Sequence, residues 1–332
     1  MKFGVVFPLL RRWCDAKAVR DIAQAAESLG YHSIWTGDHL VAPVGPIEKT
    51  AVVQSRGEWM RSVPTRPKIV PAAAFFGQDN WFMEPYTLMG YLSGITTTIK
   101  IGVMIIVLPY RNPVVQARMV ATLDNLCNGR LIFGVGSGHV QCESETLGVP
   151  YRERGPMTDE YLRLMIAMWT NDRASFHGKY YNFDDVLTLG RPVQQPYPPL
   201  YAGGMSKPVI RRAVKMCKGW LAHGYSPEEL ARGIAYADEV AKEIGRKEPL
   251  DVIPQLGGYE AVFEEDARRV PRVGATYEEP KLVTADEIIK KVRGYMALGV
   301  THATMSFYPG NQEQFIRQMR RFSETVVREF SD

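Results

Sequence analysis

Residues 99–139, IKIGVMIIVLPYRNPVVQARMVATLDNLCNGRLIFGVGSGH, constrain the fold more than any other stretch of this chain. Ile99–Leu108 is an apolar run too rich in β-branched residues and too short for a surface helix, so it reads as a strand. Asn112-Pro113 then opens a helix, with proline at the first helical position, where its missing N–H removes no bond. Val115, Met119, Val120, Leu123 and Leu126 recur at helical spacing. Asn128-Gly129 ends the helix, glycine supplying the left-handed cap. Leu131–Val135 is a second, buried strand that runs into Gly136-Ser137-Gly138-His139. In parallel α/β folds ligands bind at the carboxyl ends of the strands, so this glycine turn is expected to line an active site.

The same alternation runs from end to end. Expected strands are Phe3–Phe7, Ser33–Thr36, Ile99–Val107, Leu131–Val135, Leu200–Ala202, Gly219–Ala222, a segment near Val252–Gln255, and His302–Phe307. Expected helices are Ala16–Leu29, Pro85–Leu92, Pro113–Leu126, Asp159–Trp169, Pro208–Met216, one from Ser226 to Ile244, one from Thr284 to Leu298, and Gln312–Phe330. Ser226-Pro227-Glu228-Glu229 and Thr284-Ala285-Asp286-Glu287 are capping boxes. Eight βα units predict an α/β fold of the closed (β/α)₈ TIM-barrel type, with inserted loops at the C-terminal face of the strands. A doubly wound open sheet is the runner-up. Such a barrel takes about 250 residues, which leaves about 80 of the 332 for insertions in a single domain spanning 1–332. The segments 41–83 (with Trp59 and Trp81), 175–199 (a hairpin and a proline-rich return) and 257–281 (charged) read as those insertions.

Composition excludes several classes. With 45% hydrophobic and 23% charged residues the chain is an ordinary globular one. It has no run of 18 apolar residues, so no membrane span is expected. The opening Met1–Pro8 reads as a strand rather than a signal peptide. A net charge of +4, spread along the chain, gives no reason to expect nucleic acid. Cys14, Cys127, Cys142 and Cys217 are scattered without a CxxC, which suits reduced thiols and a cytoplasmic location. No metal-ligand spacing is present among the histidines, so no metal is expected.

Three strand ends carry candidate chemistry. Asp38-His39 follows the second strand, where a barrel points side chains at substrate, and a histidine beside a carboxylate suits acid–base work. Gly136-Ser137-Gly138 supplies backbone N–H groups and close approach for a flat ligand or an anion, with His139 as a proton donor or a structural imidazole. Gly203-Gly204-Met205-Ser206, followed by Lys207-Pro208 and a helix, has the form of a phosphate seat or an ordinary capped turn. Tyr151, Tyr180, Tyr181 and Phe183 could wall a ligand pocket, but the favoured reading is that such aromatics pack a hairpin onto the barrel rim. Arg211-Arg212 and Arg317, Arg320 and Arg321 read as solvated helix faces.

These motifs resemble the bacterial luciferase-like flavin and deazaflavin oxidoreductases. The matching segments are FGVVFP, SIWTGDHL, the whole of TTTIKIGVMIIVLPYRNPVVQARMVATLDNLCNGRLIFGVGSGH, LGVPYRERG, SFHGKYYNF, PPLYAGG with its helix, and KGWLAHG. The resemblance implies a (β/α)₈ barrel, a cofactor ring at the strand ends, its phosphate at the turn after the fifth strand, and a non-proline cis peptide near Met104-Ile105 beneath the ring. It also implies a homodimer formed through the helix faces around Pro85–Leu92 and Pro113–Leu126. The Asp-His pair is similar to the branch that uses coenzyme F420. Sugar-phosphate dehydrogenases of that branch have a glutamate at the place of His139 and a tryptophan near Val44-Gly45, which argues against a sugar phosphate here.

The expectation is therefore an F420-dependent oxidoreductase acting on a small organic substrate. Its catalytic groups would be His39, Asp38 and His139. Its cofactor contacts would come from Asp38, Met104, Ile105, Gly136, Ser137, Gly138, Gly203, Gly204, Met205 and Ser206. The rival readings are an FMN-dependent monooxygenase, a non-catalytic flavin-binding barrel, and a phosphate-binding isomerase or aldolase. The last lacks the strand-end lysine or carboxylate pair it would need.

Overall fold

The computed structural model describes residues 1–9, 14–42, 52–53, 69–70, 82–223, 225–256, 284–307 and 310–330. Eight parallel strands form one sheet. In chain order they are β1 (Lys2–Val6), β2 (Ser33–Thr36), β3 (Lys100–Val107), β4 (Leu131–Gly136), β5 (Leu200–Gly203), β6 (Gly219–Ala222), β7 (Asp251–Pro254) and β8 (His302–Met305). Each pairs in parallel with its chain neighbour, and β1 pairs with β8. A bridge from Gln255, just past β7, to Thr304 of β8, with Leu256 N–H donating to Thr304 O at 2.8 Å, closes the ring. Closure disposes of the open-sheet alternative.

Nine α-helices surround the strands among the described residues. They are α1 (Ala16–Ser28), α2 (Pro85–Ile95), α3 (Pro113–Leu126), α4 (Gln141–Thr146), α5 (Arg154–Thr170), α6 (Lys207–Met216), α7 (Pro227–Ile244), α8 (Ala285–Met296) and α9 (Gln312–Phe322). Local chemistry starts them where expected. Asn112 Oδ1 accepts from Val114 N–H and Val115 N–H, and both capping boxes are formed, at Ser226 with Glu229 and at Thr284 with Glu287. The chain departs from expectation at three helices. Helix α5 begins at Arg154, five residues before the expected Asp159. The short α4 was not anticipated. The last helix stops at Phe322, and a wider π turn, Ser323–Val327, replaces its predicted continuation.

The core has two shells. Between strands and helices lies one large apolar cluster. Inside the barrel, Trp35, Ile132, Tyr201, Leu221 and Ile253 pack together, with Val6, Met104 and Ile105 against them. Two glycines make room for the Trp35 ring. A Cβ at Gly4 or Gly102 would lie 2.4 Å from an indole atom, far inside van der Waals contact. The indole N–H donates to Ser33 Oγ at 2.7 Å, and Ser33 Oγ lies 2.9 Å from His302 Nε2.

Of the three expected insertions, 41–83 and 257–281 lie almost wholly outside the described residues. In the third, strands Arg173–His177 and Asn182–Leu187 form the expected antiparallel hairpin, and the proline-rich return holds a cis Gln195-Pro196 bond. Glu160 on α5 anchors the hairpin tip by accepting from the N–H groups of Lys179 (2.7 Å), Tyr180 (2.8 Å) and Tyr181 (3.0 Å). Tyr180 and Tyr181 meet Tyr161 edge-on, and Phe176 stacks on Phe183, so these aromatics pack the hairpin onto α5. Arg212, expected on a solvated face, is buried instead and bonds Asp159 and the Gly155 carbonyl.

Candidate functional site

The expected site residues lie at the carboxyl ends of β2, β3, β4 and β5, which are consecutive around the barrel. The Met104–Ile105 peptide is cis and sits in β3, where the β3–β4 register shifts between Val103 and Ile106. The Ile105 side chain lies between two strand-end glycines. A Cβ at Gly136 would stand 2.5 Å from Ile105 Cδ1, and one at Gly203 would stand 2.3 Å from Ile105 Cγ2. Only glycine at both positions lets β3, β4 and β5 approach this closely.

Beyond β4 the chain turns sharply. Gly138 has φ +73°, and a Cβ there would lie 2.9 Å from the Tyr110 hydroxyl and from Val107 Cγ1. Ser137 Oγ accepts from Thr158 at 3.1 Å. Arg154 braces the turn by donating to Gly138 O at 3.2 Å, and its guanidinium lies 3.7 Å from the centre of the Tyr151 ring. Tyr151 in turn donates to His139 O at 3.1 Å. Tyr151 is thus bonded to the turn after β4.

Beyond β5, Gly204 has φ +134°, a conformation side chains other than glycine rarely adopt, and its carbonyl accepts from Trp220 Nε1 at 2.8 Å. Met205 and Ser206 follow, half-buried, and Ser206 is the N-cap of α6. The Ser206 hydroxyl makes no capping bond to that helix.

The two candidate histidines come together. His39 and His139 meet edge to face with ring centroids 5.7 Å apart, and Phe82 packs edge-on against His39 at 5.4 Å.

Asp38 does not orient His39, and this corrects the sequence expectation. Asp38 is buried, with none of its side chain exposed. Arg111 grips it at both oxygens, at 2.7 and 2.9 Å, and Val107 N–H donates to it at 2.9 Å. Arg111 also bonds Glu84 at 2.9 Å and lies over the Tyr86 ring. Burial pushes the Asp38 carboxyl up, and the Arg111 guanidinium pulls against it. Asp38 thus fastens the segment after β2 to the end of β3 and to Arg111.

The carboxylate that holds His39 is Glu143 on α4. Its Oε2 lies 2.9 Å from His39 Nδ1 and accepts from the Tyr110 hydroxyl at 3.1 Å. Its Oε1 accepts from Leu40 N–H at 2.7 Å and Val41 N–H at 3.4 Å. The Glu143 side chain is fully buried. Burial alone would raise its pKa, but the bonds from His39 and from the Leu40 and Val41 amides outweigh it, and the net direction is down. Glu143 is a carboxylate that accepts from every side. The sequence reading missed it, along with Arg111 and Tyr110. The available signal was its place four residues after His139.

Among the described residues no group of three or more His, Cys, Asp and Glu could hold a metal ion, and no helix is long and apolar enough to cross a membrane. All four cysteines are free thiols.

Comparison with known proteins shows the family and agrees with the fold. A family model described as luciferase-like monooxygenase matches residues 1–328. An uncharacterised protein of Mycobacterium tuberculosis is 28% identical over 256 residues, spanning 75% of this chain and 82% of that protein. The FMNH₂-dependent dimethylsulfone monooxygenase of Pseudomonas putida is 31% identical over 158 residues, 47% of this chain and 43% of that enzyme. By shape, the coenzyme F420-dependent tetrahydromethanopterin reductase of Methanopyrus kandleri superposes with a TM-score of 0.73 at 16% identity over 99% of both chains, a likeness of fold.

Proposed function

This chain belongs to the luciferase-like monooxygenase family, and from that premise we propose that it transfers a hydride between coenzyme F420 and an organic substrate. The observation that carries this reading is His39, bonded at Nδ1 to the buried Glu143 and beside the His139 ring, at the strand ends where a barrel binds ligands. Hydride transfer to or from a C–O centre is accompanied by a proton, and a positioned histidine is the side chain suited to carry it near neutral pH.

The residues present fit a flat, phosphate-bearing cofactor. The glycines at 136, 138, 203 and 204 keep side chains off the rim, and the Ser206 hydroxyl is not used to cap its own helix. Ser206, with the backbone of Gly203, Gly204 and Met205 and the N-terminus of α6, would hold the phosphate. Met104 and Ile105 would form the floor, and Gly136, Ser137 and Gly138 the edge. Lys207, in the first turn of α6, would attract the anionic tail, while Arg211 is engaged by Glu243 at 2.8 and 2.9 Å. When bound, the deazaflavin supplies the carbon that gives or takes the hydride. The protein's own part is to hold the substrate carbon against that position and to move the proton at His39, with His139 as a secondary donor or ring contact.

An FMN-dependent monooxygenase is the second reading, favoured by the stretch of 31% identity to the dimethylsulfone enzyme. Anaerobic titration of the purified protein with F420 and with FMN, followed by absorbance and fluorescence, separates the two. Tighter binding of F420 is expected. Micromolar FMN binding without detectable F420 binding reverses the assignment, and binding of either without turnover on any substrate favours a non-catalytic barrel. We also propose a homodimer through α2 and α3, where Tyr91, Val115 and Leu126 are exposed. Sedimentation at micromolar concentration checks it, a monomer alone being the contrary result.

A further inference from the structure

We infer that Glu143 is a positioning residue that fixes which nitrogen of His39 exchanges protons. The inference rests on the reading of His39 as the proton-handling group. An ionised carboxylate can only accept hydrogen bonds. With Glu143 Oε2 at 2.9 Å from His39 Nδ1, the hydrogen resides on Nδ1. The nitrogen whose protonation changes is then Nε2.

Three features show that Glu143 is built to stay a carboxylate. It is wholly buried, so an acceptor with fewer than its full set of donors would be penalised. It has that set, from Leu40 N–H, Val41 N–H, the Tyr110 hydroxyl and His39 Nδ1. Asp38, the other carboxylate near His39, is neutralised separately by Arg111. Glu143 also lies on the segment that carries Gly138 and His139. One side chain therefore ties the turn after β4 to the loop after β2, and holds the two histidines in their edge-to-face arrangement.

The geometry assigns an unusual outcome to Glu143→Gln. Leu40 N–H, at 2.7 Å from Oε1, requires an oxygen there, so the amide oxygen takes that place. The amide NH₂ then faces His39 Nδ1 and turns it into an acceptor. The hydrogen moves to Nε2, which can no longer receive a proton in the neutral imidazole. Glutamine in place of glutamate is nearly isosteric, yet it inverts the tautomer. The comparable loss in other enzymes that depend on a carboxylate-held histidine is about 10⁴-fold.

The test needs no substrate. Nitrogen-15 NMR of imidazole-labelled protein above pH 7.5 reads the tautomer of each histidine, with His39 assigned by its disappearance in His39→Gln. The expected result is Nδ1–H in the wild type and Nε2–H in Glu143→Gln, with Tyr110→Phe keeping Nδ1–H. A wild-type His39 carrying its hydrogen on Nε2 overturns the inference without any variant. An unchanged tautomer in folded Glu143→Gln also overturns it. Should the tautomers behave as stated while neither F420 nor FMN binds, the positioning role stands and the redox reading fails.

Discussion

Replacing Asp38 by asparagine should destabilise the barrel without disturbing His39. Asp38 and Arg111 form a two-pronged ion pair at 2.7 and 2.9 Å, with the carboxylate fully buried and the guanidinium side chain 15% exposed. Breaking a buried pair by removing one partner typically costs about 3–5 kcal/mol. The low end applies here, because Arg111 retains Glu84 and some water and the asparagine oxygen can still accept from Val107 N–H. Unfolding entropy of about 2.1 cal/mol/K per residue over 332 residues gives about 0.7 kcal/mol/K. A loss of about 3 kcal/mol thus lowers Tm by about 4 °C. Calorimetry on Asp38→Asn, Arg111→Met and the double variant forms a cycle, in which the double variant should lose about 2 kcal/mol less than the sum of the singles. Additivity within about 0.5 kcal/mol would refute the pairing. A tautomer change at His39 in Asp38→Asn would refute the division of labour between Asp38 and Glu143.

Acid should weaken the barrel through two histidines at its opposite mouth. Burial, reinforced by Lys2 and neighbouring cations, holds His32 down at about 4 and His302 at about 3. Folded values below the unfolded one mean that the unfolded chain binds more protons below pH 6.5, so stability falls as pH drops from about 6.5 toward 4, by up to about 1.4 kcal/mol per pH unit for each group. His32→Gln should flatten Tm against pH over that range, and superimposable curves would contradict the burial argument. Glu27 accepts from the N–H groups of Thr97, Thr98 and Ile99 and lies down at about 2, as those bonds overcome the burial that opposes them. Glu27→Gln should lose about 1–3 kcal/mol at pH 7 in chemical denaturation and less at pH 3, where the wild-type advantage is fading. Ser206→Ala should leave Tm in place and weaken cofactor affinity about tenfold, the scale of one hydrogen bond to a charged group; unchanged affinity places the phosphate elsewhere.

The barrel was legible because its signals are local. Asn112-Pro113, the two capping boxes and the apolar runs each act within a few residues, and the three helices headed by those caps begin where that chemistry starts them. The misreadings fall where local chemistry is ambiguous. Helix α4 has six residues, too few to display a period of 3.6. The spacing Phe322, Val326, Phe330 continues an apolar stripe at intervals of four, which an α-helix and the observed wider turn satisfy equally. The edge-on contact of Phe3 with Phe322 and the further contact with Phe330 belong to tertiary packing.

The site was half legible for a related reason. Strand-end position located His39, His139 and the glycine turns, since barrel topology alone brings the carboxyl ends of β2 to β5 together. Partnership was not legible. Adjacency suggested that Asp38 serves His39, but neighbours in an extended segment point their side chains to opposite sides. Asp38 goes inward to Arg111, 73 residues away, and His39 goes to Glu143, 104 residues away. A carboxylate next to a histidine in sequence is therefore a poor guide to the one that holds it. In a barrel the better place to search is the loop of a nearby strand end. Here that loop carries Glu143 four residues after the second histidine, so a shift of the loop after β4 must also shift the carboxylate that holds His39.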